Sequence, residues 1–514
     1  MKNYFYEEAG IDLVKKYNDE ADALVREIEN TPTNVTVTGK KYYVAVDGDD
    51  SNDGLSPENP WKSIDRVNAH TFEFGDGVFL RRGDSFRITS PLKAKSGMTI
   101  SAYGEGKKPK LVCSVDASGK DLWEETEYKN IYRYKGVVGG LDTNVGCIVF
   151  DNGRAWGVLV SKMVDGTRLD NGPVYNGLEW YKTPYGPFED YRDLKGNLEF
   201  THDLETETLY LRSDAGNPGE VFESIELMDR GNGINLGKVL GREDHITIDN
   251  IEVFGTGSHG IGGSYALDYI TIQNCTFKWI GGSVQVKAGD KMFKRDWPVR
   301  FGNAVEAYGK SESFTIHHCY ATQVYDCCWT AQCQEGVTMN NTHIYKNVAE
   351  FANTGPEVWL GDGGRLTNLS IHDNYTRYIG YGWSHQRPCI NNCRDKIAGG
   401  WIGAGGFFYG AYNTDFYCEN NHVKDNIFMF SGSSSNSTAA VWEDKFNFHD
   451  NVYIMEDGKR YCYMPLCPVK GDYNEETISQ LPAAKIEKNT KFYHMKPGAV
   501  GDLYTHYQKL NNLK

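Results

Sequence analysis

The sequence lacks any long hydrophobic run. No stretch of the 514 residues approaches the roughly 18 consecutive apolar residues that a membrane-spanning helix needs. The opening residues, MKNYFYEEAGIDLVKKYNDE, also lack the apolar core of about seven residues that a secretory signal peptide has. We therefore expect a cytoplasmic protein that does not meet a membrane, or a secreted one if a leader has been trimmed.

Positive charge is also scarce. Lys and Arg number 54 against 69 Asp and Glu, so the formal net charge is −15. The chain has no basic patch of the kind that binds a phosphate backbone, which argues against a nucleic-acid partner. The oligomeric state cannot be read from these counts.

Metal-ligand spacings are nearly absent. Several of the 12 cysteines fall on apolar repeat positions and are interpreted as reduced core residues. Cys389 and Cys393 have the spacing of half a metal site, but no second half is recognisable. We therefore expect no metal ion and no other cofactor.

Helical spacing of apolar residues is clear in residues 7–30, EEAGIDLVKKYNDEADALVREIEN. This segment is interpreted as an amphipathic helix that covers another part of the structure and performs no chemistry. The 56 glycines of the chain are typical of a turn-rich β protein.

Residues 41–69 contain a short strand, a loop rich in Asp, Gly, Asn, Ser and Pro, and a short helix. The segment YYVAVDGDDSNDG…PWKSI resembles the N-terminal cap of the right-handed parallel β-helix proteins, the pectate-lyase-like superfamily. The resemblance implies an all-β fold, a right-handed parallel β-helix solenoid, here with an N-terminal α-helix and a β-rich insertion. The predicted parts are a helical segment at 1–40, a cap and first coils at 41–143, the insertion at 144–240, the main coils at 241–460 and a C-terminal cap or tail at 461–514.

From residue 245 onward a repeat alternates apolar and polar residues and then reaches Asn or His. Most intervals between these anchors are 24–30 residues, and two intervals carry about 20 more. Their amides are expected to bond the backbone turns of neighbouring coils, which is a structural role. The anchors are Asn250, Asn274, His318, Asn347, Asn374, Asn421 and Asn451.

The extra residues of the two long coils fall around 283–301 and 387–412, on either side of the strand GPEVWLGD at 355–362. Long loops above and below a strand with short loops predict the walls of a groove. Four strands are predicted to lie in register on its floor: 302–308, 326–332, 355–361 and 380–386.

Alternation along these strands directs Glu306 and Glu357 outward if Val305 and Val358 face the core. A slip of one residue would reverse the side chains of any strand. Aromatic rings that stack on sugars and polar groups that bond hydroxyls would share this face. The catalytic candidates are Glu357, Asp326 and Glu306, and the substrate-binding candidates are Trp359, Asp362, His385, Trp383, Arg387, Gln332, Tyr308 and Trp329.

Structural roles are the alternative for most of these candidates, because acidic residues favour turns and aromatic residues pack beneath loops. Glu357 is the strongest functional candidate, since it follows Gly355-Pro356 and shares a face with Trp359. The alternatives apply to Glu306, Asp326, Asp362, Trp359, Trp383, His385 and Arg387.

Coil spacing relates the acidic candidates to known chemistry. Stacked strands lie about 4.8 Å apart, and paired carboxyls lie about 5–5.5 Å apart in retaining glycosidases and about 6.5–9.5 Å apart in inverting ones. Asp326 is predicted one coil before Glu357, as in a retaining pair. Glu306 is predicted two coils before it, nearer to an inverting pair. Glu357 belongs to either pair and is predicted to be the general acid.

The succession DCCWTAQ and GPEVWLGD resembles bacterial β-helix glycoside hydrolases, which include a β-xylosidase group and a lacto-N-biosidase group. Those proteins have an acidic residue in a strand that follows a strand containing Trp. The xylosidase group carries an Asp where this chain has Thr330 or Ala331. Asp326 and Glu306 therefore both remain possible partners of Glu357.

The resemblance implies a glycoside hydrolase with a carbohydrate substrate. The first alternative is a polysaccharide lyase, which would use a Ca²⁺ site and a base such as Arg387 or Lys310. The sequence has no compact Asp cluster on the stacked strands, and the acidic segment 47–53 belongs to the cap. The second alternative is a non-catalytic carbohydrate-binding β-helix.

Overall fold

A computed structural model of the chain places the elements described below. It describes residues 4–138, 144–160, 189–203, 206–229, 231–237, 241–263, 265–286, 299–380, 382–386, 405–411, 417–430, 433–437, 445–456, 460–463, 472–473 and 488–495.

The described helices are few and short apart from the first. Ser63 caps the second helix, because its Oγ accepts the backbone N–H of Arg66 at 3.0 Å. The helices are α1 Ile11–Asn30, α2 Ile64–Ala69 and α3 Pro218–Val221. Single 3₁₀ turns lie at Lys120–Leu122, Asp151–Gly153, Tyr191–Asp193 and Trp383–Gln386.

The strands fall into three groups along the chain. The first group is β1 Tyr4–Glu8, β2 Lys41–Val44, β3 Gly77–Arg81, β4 Ser85–Arg87, β5 Leu92–Ala94, β6 Thr99–Tyr103 and β7 Lys110–Val112. The second group is β8 Val115–Asp116, β9 Trp123–Glu125, β10 Ile131–Tyr134, β11 Cys147–Phe150, β12 Ala155–Trp156, β13 Val158–Leu159, β14 Glu199–Asp203, β15 Thr208–Arg212 and β16 Ile225–Met228.

The third group, β17 to β42, contains the long run of coils. Its first half is β17 Ile234–Leu236, β18 Arg242–Asp249, β19 Glu252–Thr256, β20 Ile261–Gly263, β21 Ala266–Gln273, β22 Thr276–Ile280, β23 Val284–Val286, β24 Val299–Arg300, β25 Val305–Tyr308, β26 Lys310–His317, β27 Tyr320–Cys333, β28 Thr338–Tyr345 and β29 Val348–Leu360. Its second half is β30 Arg365–Thr367, β31 Ser370–His372, β32 Tyr375–Arg377, β33 Gly405–Ala411, β34 Tyr417–Glu419, β35 His422–Lys424, β36 Ile427–Met429, β37 Ser433–Ser437, β38 Asn447–His449, β39 Val452–Glu456, β40 Arg460–Tyr463, β41 Asp472–Tyr473 and β42 Thr490–Met495.

Strands of successive coils pair in parallel and form three faces, which confirms the predicted all-β fold built of stacked coils. Face 1 is the series β2-β3-β6-β18-β21-β26-β28-β31-β35-β38. Face 2 is the series β4-β7-β19-β22-β27-β29-β32-β36-β39-β42-β1. Face 3 is the series β5-β17-β20-β25-β27-β29-β33-β37-β40. The apolar side chains of all three faces enclose one core.

An asparagine ladder joins the later coils. The Nδ2 of Asn347 donates to Oδ1 of Asn374 at 3.0 Å, and Asn374 donates in the same way to Asn426 at 2.9 Å. Asn426 continues the ladder to Asn451 at 3.1 Å. Cys319, whose thiol is buried, occupies the equivalent position one coil earlier. Its backbone N–H donates to Asn347 Oδ1 at 2.9 Å. The structural role predicted for the anchors is thereby confirmed for this part of the stack.

Some predicted anchors lie elsewhere. Asn250, Asn274 and His318 precede the ladder position by one residue and have positive φ values of 59°, 53° and 49°. Asn421 belongs to a different turn, because its Oδ1 accepts the N–H of Leu369 at 3.0 Å. Asn426 takes the expected place of Asn421, since the long insertion before it hides the true interval of 52 residues from Asn374.

The second group of strands forms a separate body on the solenoid. Its sheets run in the orders β13-β14-β15-β10-β9 and β12-β11-β16-β8, mostly antiparallel, around their own apolar core. The strands show that this insertion begins at Val115, whereas the sequence placed residues 115–143 with the first coils. Short strands with turns have the same pattern in a coil and in a hairpin, so only the pairing separates them.

Helix α1 lies along face 2, so the predicted covering role is confirmed. Val14, Ala21 and Ile28 are buried beneath it. Arg377 bridges the helix and the sheet, with Nη2 at 2.5 Å from Asp22 and Nε at 2.8 Å from Glu350. Within the described residues, no helix is long and apolar enough to cross a membrane.

We expect Asn374→Ala to lower the free energy of unfolding by at least about 2 kcal/mol, because it leaves buried partners on both neighbouring coils without hydrogen bonds. Asn447→Ala is the matched control, since Asn447 lies exposed on face 1. The control should change stability by no more than about 0.5 kcal/mol. Urea unfolding measures both free energies. Equal losses for the two variants would contradict the prediction that the asparagine ladder stabilises the fold.

Candidate active site

Two rows of outward side chains run across face 3. The register aligns Glu306 with Thr330 and Thr330 with Glu357. Val305, Ala307, Val358 and Leu360 are buried, so the predicted alternation on these strands is confirmed. Glu306 and Glu357 thus lie two strands apart, about 9.6 Å by strand spacing.

The second row lies two residues further along each strand. It aligns Tyr308 with Gln332 and Gln332 with Trp359. Each of these side chains is half-buried. This aromatic–amide–aromatic row lies beside the row of Glu306, Thr330 and Glu357. The face therefore offers both a stacking surface and hydrogen-bonding groups.

Glu357 is held by two neighbours on the preceding strand. Gln332 Nε2 donates to Glu357 Oε1 at 2.6 Å, and the Cys327 thiol donates to Oε2 at 2.8 Å. Donors of this kind favour the ionised form of a carboxyl. A carboxylate oxygen of Asp326, the Cys327 Sγ and a carboxylate oxygen of Glu357 all lie within 4.8 Å of one another.

An irregularity in β27 brings Asp326 into this group. The pairing of β27 with β29 shifts register between Val324 and Cys327. Such a bulge changes the direction of a side chain relative to regular alternation. Asp326 therefore reaches Glu357, although it stands four residues before Thr330, which is the residue in register with Glu357.

Glu306 has a different environment. Its side chain is 15% exposed, and Oε2 lies 3.3 Å from His259 Nε2. The pKa of Glu306 is raised, chiefly by burial and further by the nearby charge of Asp326. His259 and a hydrogen bond with Asn303 partly offset this rise in the pKa. Gly262 makes room for the contact, because a Cβ there would lie 3.2 Å from both Glu306 Oε2 and His259 Cβ.

A hydrogen-bonded column orients His259. The backbone N–H of Asn303 donates to His259 Nδ1 at 3.0 Å, and the N–H of Cys327 donates to Asn303 Oδ1 at 3.1 Å. The neutral imidazole therefore carries its proton on Nε2, directed at Glu306. His259, Asn303 and Cys327 were missed from the sequence. Aligning SHGIGG with GNAVEA would have indicated the first two, since Ile261 pairs with Val305.

Two tryptophans predicted to bind substrate are buried instead. Trp329 is fully buried in the core and packs edge-on against Phe277 at 6.0 Å. Thr330 and Gln332, which follow Trp329 on β27, are directed outward. Alternation along the strand therefore directs Trp329 inward. Trp383 is 2% exposed, and its indole Nε1 donates to the backbone oxygen of Gln323 at 2.9 Å. It packs against Tyr325 beneath the insertion.

The prediction that residues 380–386 form the fourth strand of the floor is wrong. Strand β33 takes that place, with Phe408 in register with Glu357. Gly380 has a φ of 84°, which turns the chain away, and Trp383–Gln386 is a 3₁₀ turn. A Cβ on Gly382 would lie 2.2 Å from the Phe351 oxygen, so this turn packs directly on the sheet.

The remaining candidates, Asp362, His385 and Arg387, follow β29 or β32 along the chain. Asp362 is exposed in the turn after β29, and its backbone oxygen accepts the Gly336 N–H at 2.9 Å. His385 lies in the 3₁₀ turn, but its side chain is outside the described residues. Arg387 is also outside them, as are Cys389 and Cys393.

No family model matches the chain. Over 396 residues it is 26% identical to the lacto-N-biosidase of Bifidobacterium longum subsp. longum, an alignment that covers 66% of this chain and 24% of that protein. The chain thus spans about a quarter of the length of that curated relative.

Among solved structures, the GH136 lacto-N-biosidase from Eubacterium ramulus aligns at 13% identity over 94% of this chain and 71% of that chain, with a TM-score of 0.38. XylC in complex with xylose aligns at 13% identity over 82% of this chain and 68% of that chain, with a TM-score of 0.42.

We expect Glu306→Gln to stabilise the protein at neutral pH. The raised pKa of Glu306 means that the folded chain binds this proton more tightly than the unfolded chain, so stability is lost as pH rises through the raised value. The gain should vanish by about pH 3, where Glu306 is protonated in both states. Urea midpoints at both pH values measure it, with the exposed Glu335→Gln as control. A gain that is equal at both pH values would contradict this origin.

Proposed function

We propose that the chain is a glycoside hydrolase that cleaves a glycosidic bond of a complex oligosaccharide or polysaccharide. One observation carries the proposal: carboxylate oxygens of Asp326 and Glu357 lie within 4.8 Å of each other on an outward face. Retaining glycosidases hold their two catalytic carboxyls about 5–5.5 Å apart, and a pair whose oxygens approach within 4.8 Å is compatible with that spacing. The likeness to a lacto-N-biosidase supports the same class of reaction.

The hydrogen bonds suggest a role for each carboxyl. Glu357 accepts from Gln332 and Cys327, which favours the ionised form that a nucleophile requires. Asp326 is then the acid and base. The sequence predicts Glu357 as the general acid, because the hydrogen bonds from Gln332 and Cys327 are not visible in the sequence.

The reaction would proceed in two displacements. Asp326 protonates the glycosidic oxygen while the Glu357 carboxylate attacks the anomeric carbon, so the leaving sugar departs as an alcohol. Asp326, now ionised, takes a proton from water, and that water displaces Glu357 from the anomeric carbon. Trp359 and Tyr308 offer ring faces for the sugar along the second row.

Glu306 would act beside this pair. Its raised pKa keeps a proton within the acidic group at higher pH than an ordinary Glu would. Three neighbouring carboxyls repel one another when all are ionised, so a retained proton lowers that repulsion. An inverting pair of Glu306 and Glu357 is the competing arrangement, and the product anomer separates the two.

A lyase finds less support among the described residues. Ca²⁺ takes six to eight oxygen ligands, whereas this group consists of two carboxyls and a thiol. The donor set therefore does not fit the ion. Lys310, one base considered for that reaction, is exposed at the start of β26 on face 1.

We expect Glu357→Gln and Asp326→Asn each to lower kcat at least about 100-fold, because each removes a reacting carboxyl. A screen of aryl glycosides that includes an aryl lacto-N-bioside provides the substrate. Glu335→Gln, in the exposed turn after β27, is the matched control and should keep full activity. Wild-type turnover by Glu357→Gln would overturn the assignment.

Leaving-group dependence should distinguish the two roles. With an activated dinitrophenyl glycoside, Asp326→Asn should still release the phenol in a first burst, because that leaving group needs no protonation. Glu357→Gln should show no burst, since it lacks the nucleophile. The reverse pattern would exchange the roles and restore Glu357 as the acid.

Product stereochemistry tests the pair itself. Two displacements retain the anomeric configuration, so proton NMR at early times should show the anomer of the substrate. The inverted anomer would replace Asp326 by Glu306 as the partner of Glu357. An unsaturated uronate among the products would instead indicate elimination.

A further inference from the structure

A pair of histidines lies on face 1, away from the carboxyl group of face 3. His422 begins β35 and His449 ends β38, so they belong to neighbouring coils. Their rings meet at 88°, and His422 Nδ1 lies 3.2 Å from His449 Nε2. Whether the two facing nitrogens attract or repel each other depends on which ring nitrogens carry protons.

The proton of His449 is placed by a carboxylate. His449 Nδ1 lies 2.7 Å from Asp450 Oδ2. An ionised carboxylate only accepts, so Nδ1 carries the proton and Nε2 presents a lone pair toward His422.

The proton of His422 is placed by a relay of amides. Asn340 Nδ2 donates to both oxygens of the Glu312 carboxylate at 3.0 Å, which fixes its orientation. Asn368 then donates to Asn340 Oδ1 at 2.9 Å, and Asn420 donates to Asn368 Oδ1 at 2.7 Å. Asn420 Oδ1 is left to face His422 Nε2 at 3.1 Å, so Nε2 carries the proton.

The facing nitrogens, His422 Nδ1 and His449 Nε2, are therefore both acceptors when the rings are neutral. Two lone pairs 3.2 Å apart repel, and a cation shared between them removes the repulsion. A metal ion that binds the two neutral imidazole rings is such a cation.

We propose that His422 and His449 bind one divalent transition-metal ion of the Zn²⁺ or Ni²⁺ class, with water in the remaining positions. Imidazole nitrogens bind Zn²⁺ at about 2.0–2.1 Å, which at a tetrahedral angle places two of them roughly 3.3 Å apart. Each ring gives its other N–H to an oxygen acceptor, Asp450 or Asn420, as the rings of metal-bound histidines do.

The bound ion would act as a clip between coils. His422 and His449 belong to successive turns of the solenoid, so one ion joins them without involving the groove. A ligand that binds only the folded form raises thermal stability by mass action. The ion would thus stabilise the C-terminal coils and leave the proposed hydrolysis unchanged.

Titration calorimetry of tag-free, chelator-treated protein with ZnCl₂ tests the site near neutral pH. We expect one equivalent to bind, NiCl₂ to compete, and MgCl₂ not to bind, because Mg²⁺ prefers oxygen ligands. Zn²⁺ should also raise the midpoint of thermal unfolding. His449→Gln should weaken Zn²⁺ binding at least about tenfold and abolish the rise.

His372→Gln is the matched control. His372 is 24% exposed against 26% for His449, also lies on face 1, and also has Nδ1 at 2.7 Å from an Asp oxygen, but its ring does not face another ring nitrogen within the described residues. The control should bind Zn²⁺ as the wild type does. Asp450→Ala, which releases the His449 tautomer, should weaken binding about 10–100-fold. No binding by the wild type, or equal binding by His449→Gln, would overturn the proposal.

Discussion

In-register hydrogen bonding between parallel strands of successive coils is the constraint on which this structure depends. Each residue of a coil lies directly beside its counterpart in the next, as Glu306, Thr330 and Glu357 do. Side chains at one position of successive coils therefore form a continuous row along the stack. Buried asparagines become a ladder, outward acids become a charged row, and apolar positions become one continuous core.

The same constraint explains how a shallow face gathers reactive groups. Regular stacking places Glu306 and Glu357 on one row but too far apart for direct contact. The irregularity in β27 breaks the alternation at one point and brings Asp326 and Cys327 against Glu357. Burial beside His259 then makes Glu306 different from the other carboxyls of the face. The surface near Trp359 carries the hydrogen-bonding groups that polar ligands need.

Prediction from sequence succeeded where periodicity alone decides the outcome. The helix at α1 and the outward direction of Glu306, Tyr308, Glu357 and Trp359 follow from a period of 3.6 or 2. The coils and the ladder positions of Asn347, Asn374 and Asn451 follow from the repeat of 24–30 residues. Prediction was wrong where an insertion interrupts the period. Residues 380–386 appear strand-like, yet Gly380 turns them away and β33 supplies the strand. The predicted start of the body from Val115 to Met228 was too late for another reason, since short strands have the same sequence pattern in a coil and in a hairpin.

The sequence by itself determined which side chains of β25 and β29 face the core, because alternation is a local property of the chain. It also determined that Glu357 shares a face with an aromatic ring. Only the tertiary structure decided which groups meet. The Cys327 thiol beside Glu357, the contact of His259 with Glu306 and the facing nitrogens of His422 and His449 each join residues of different coils. The register between coils and the irregularity in β27 set those contacts, and neither leaves a periodic signal in the chain.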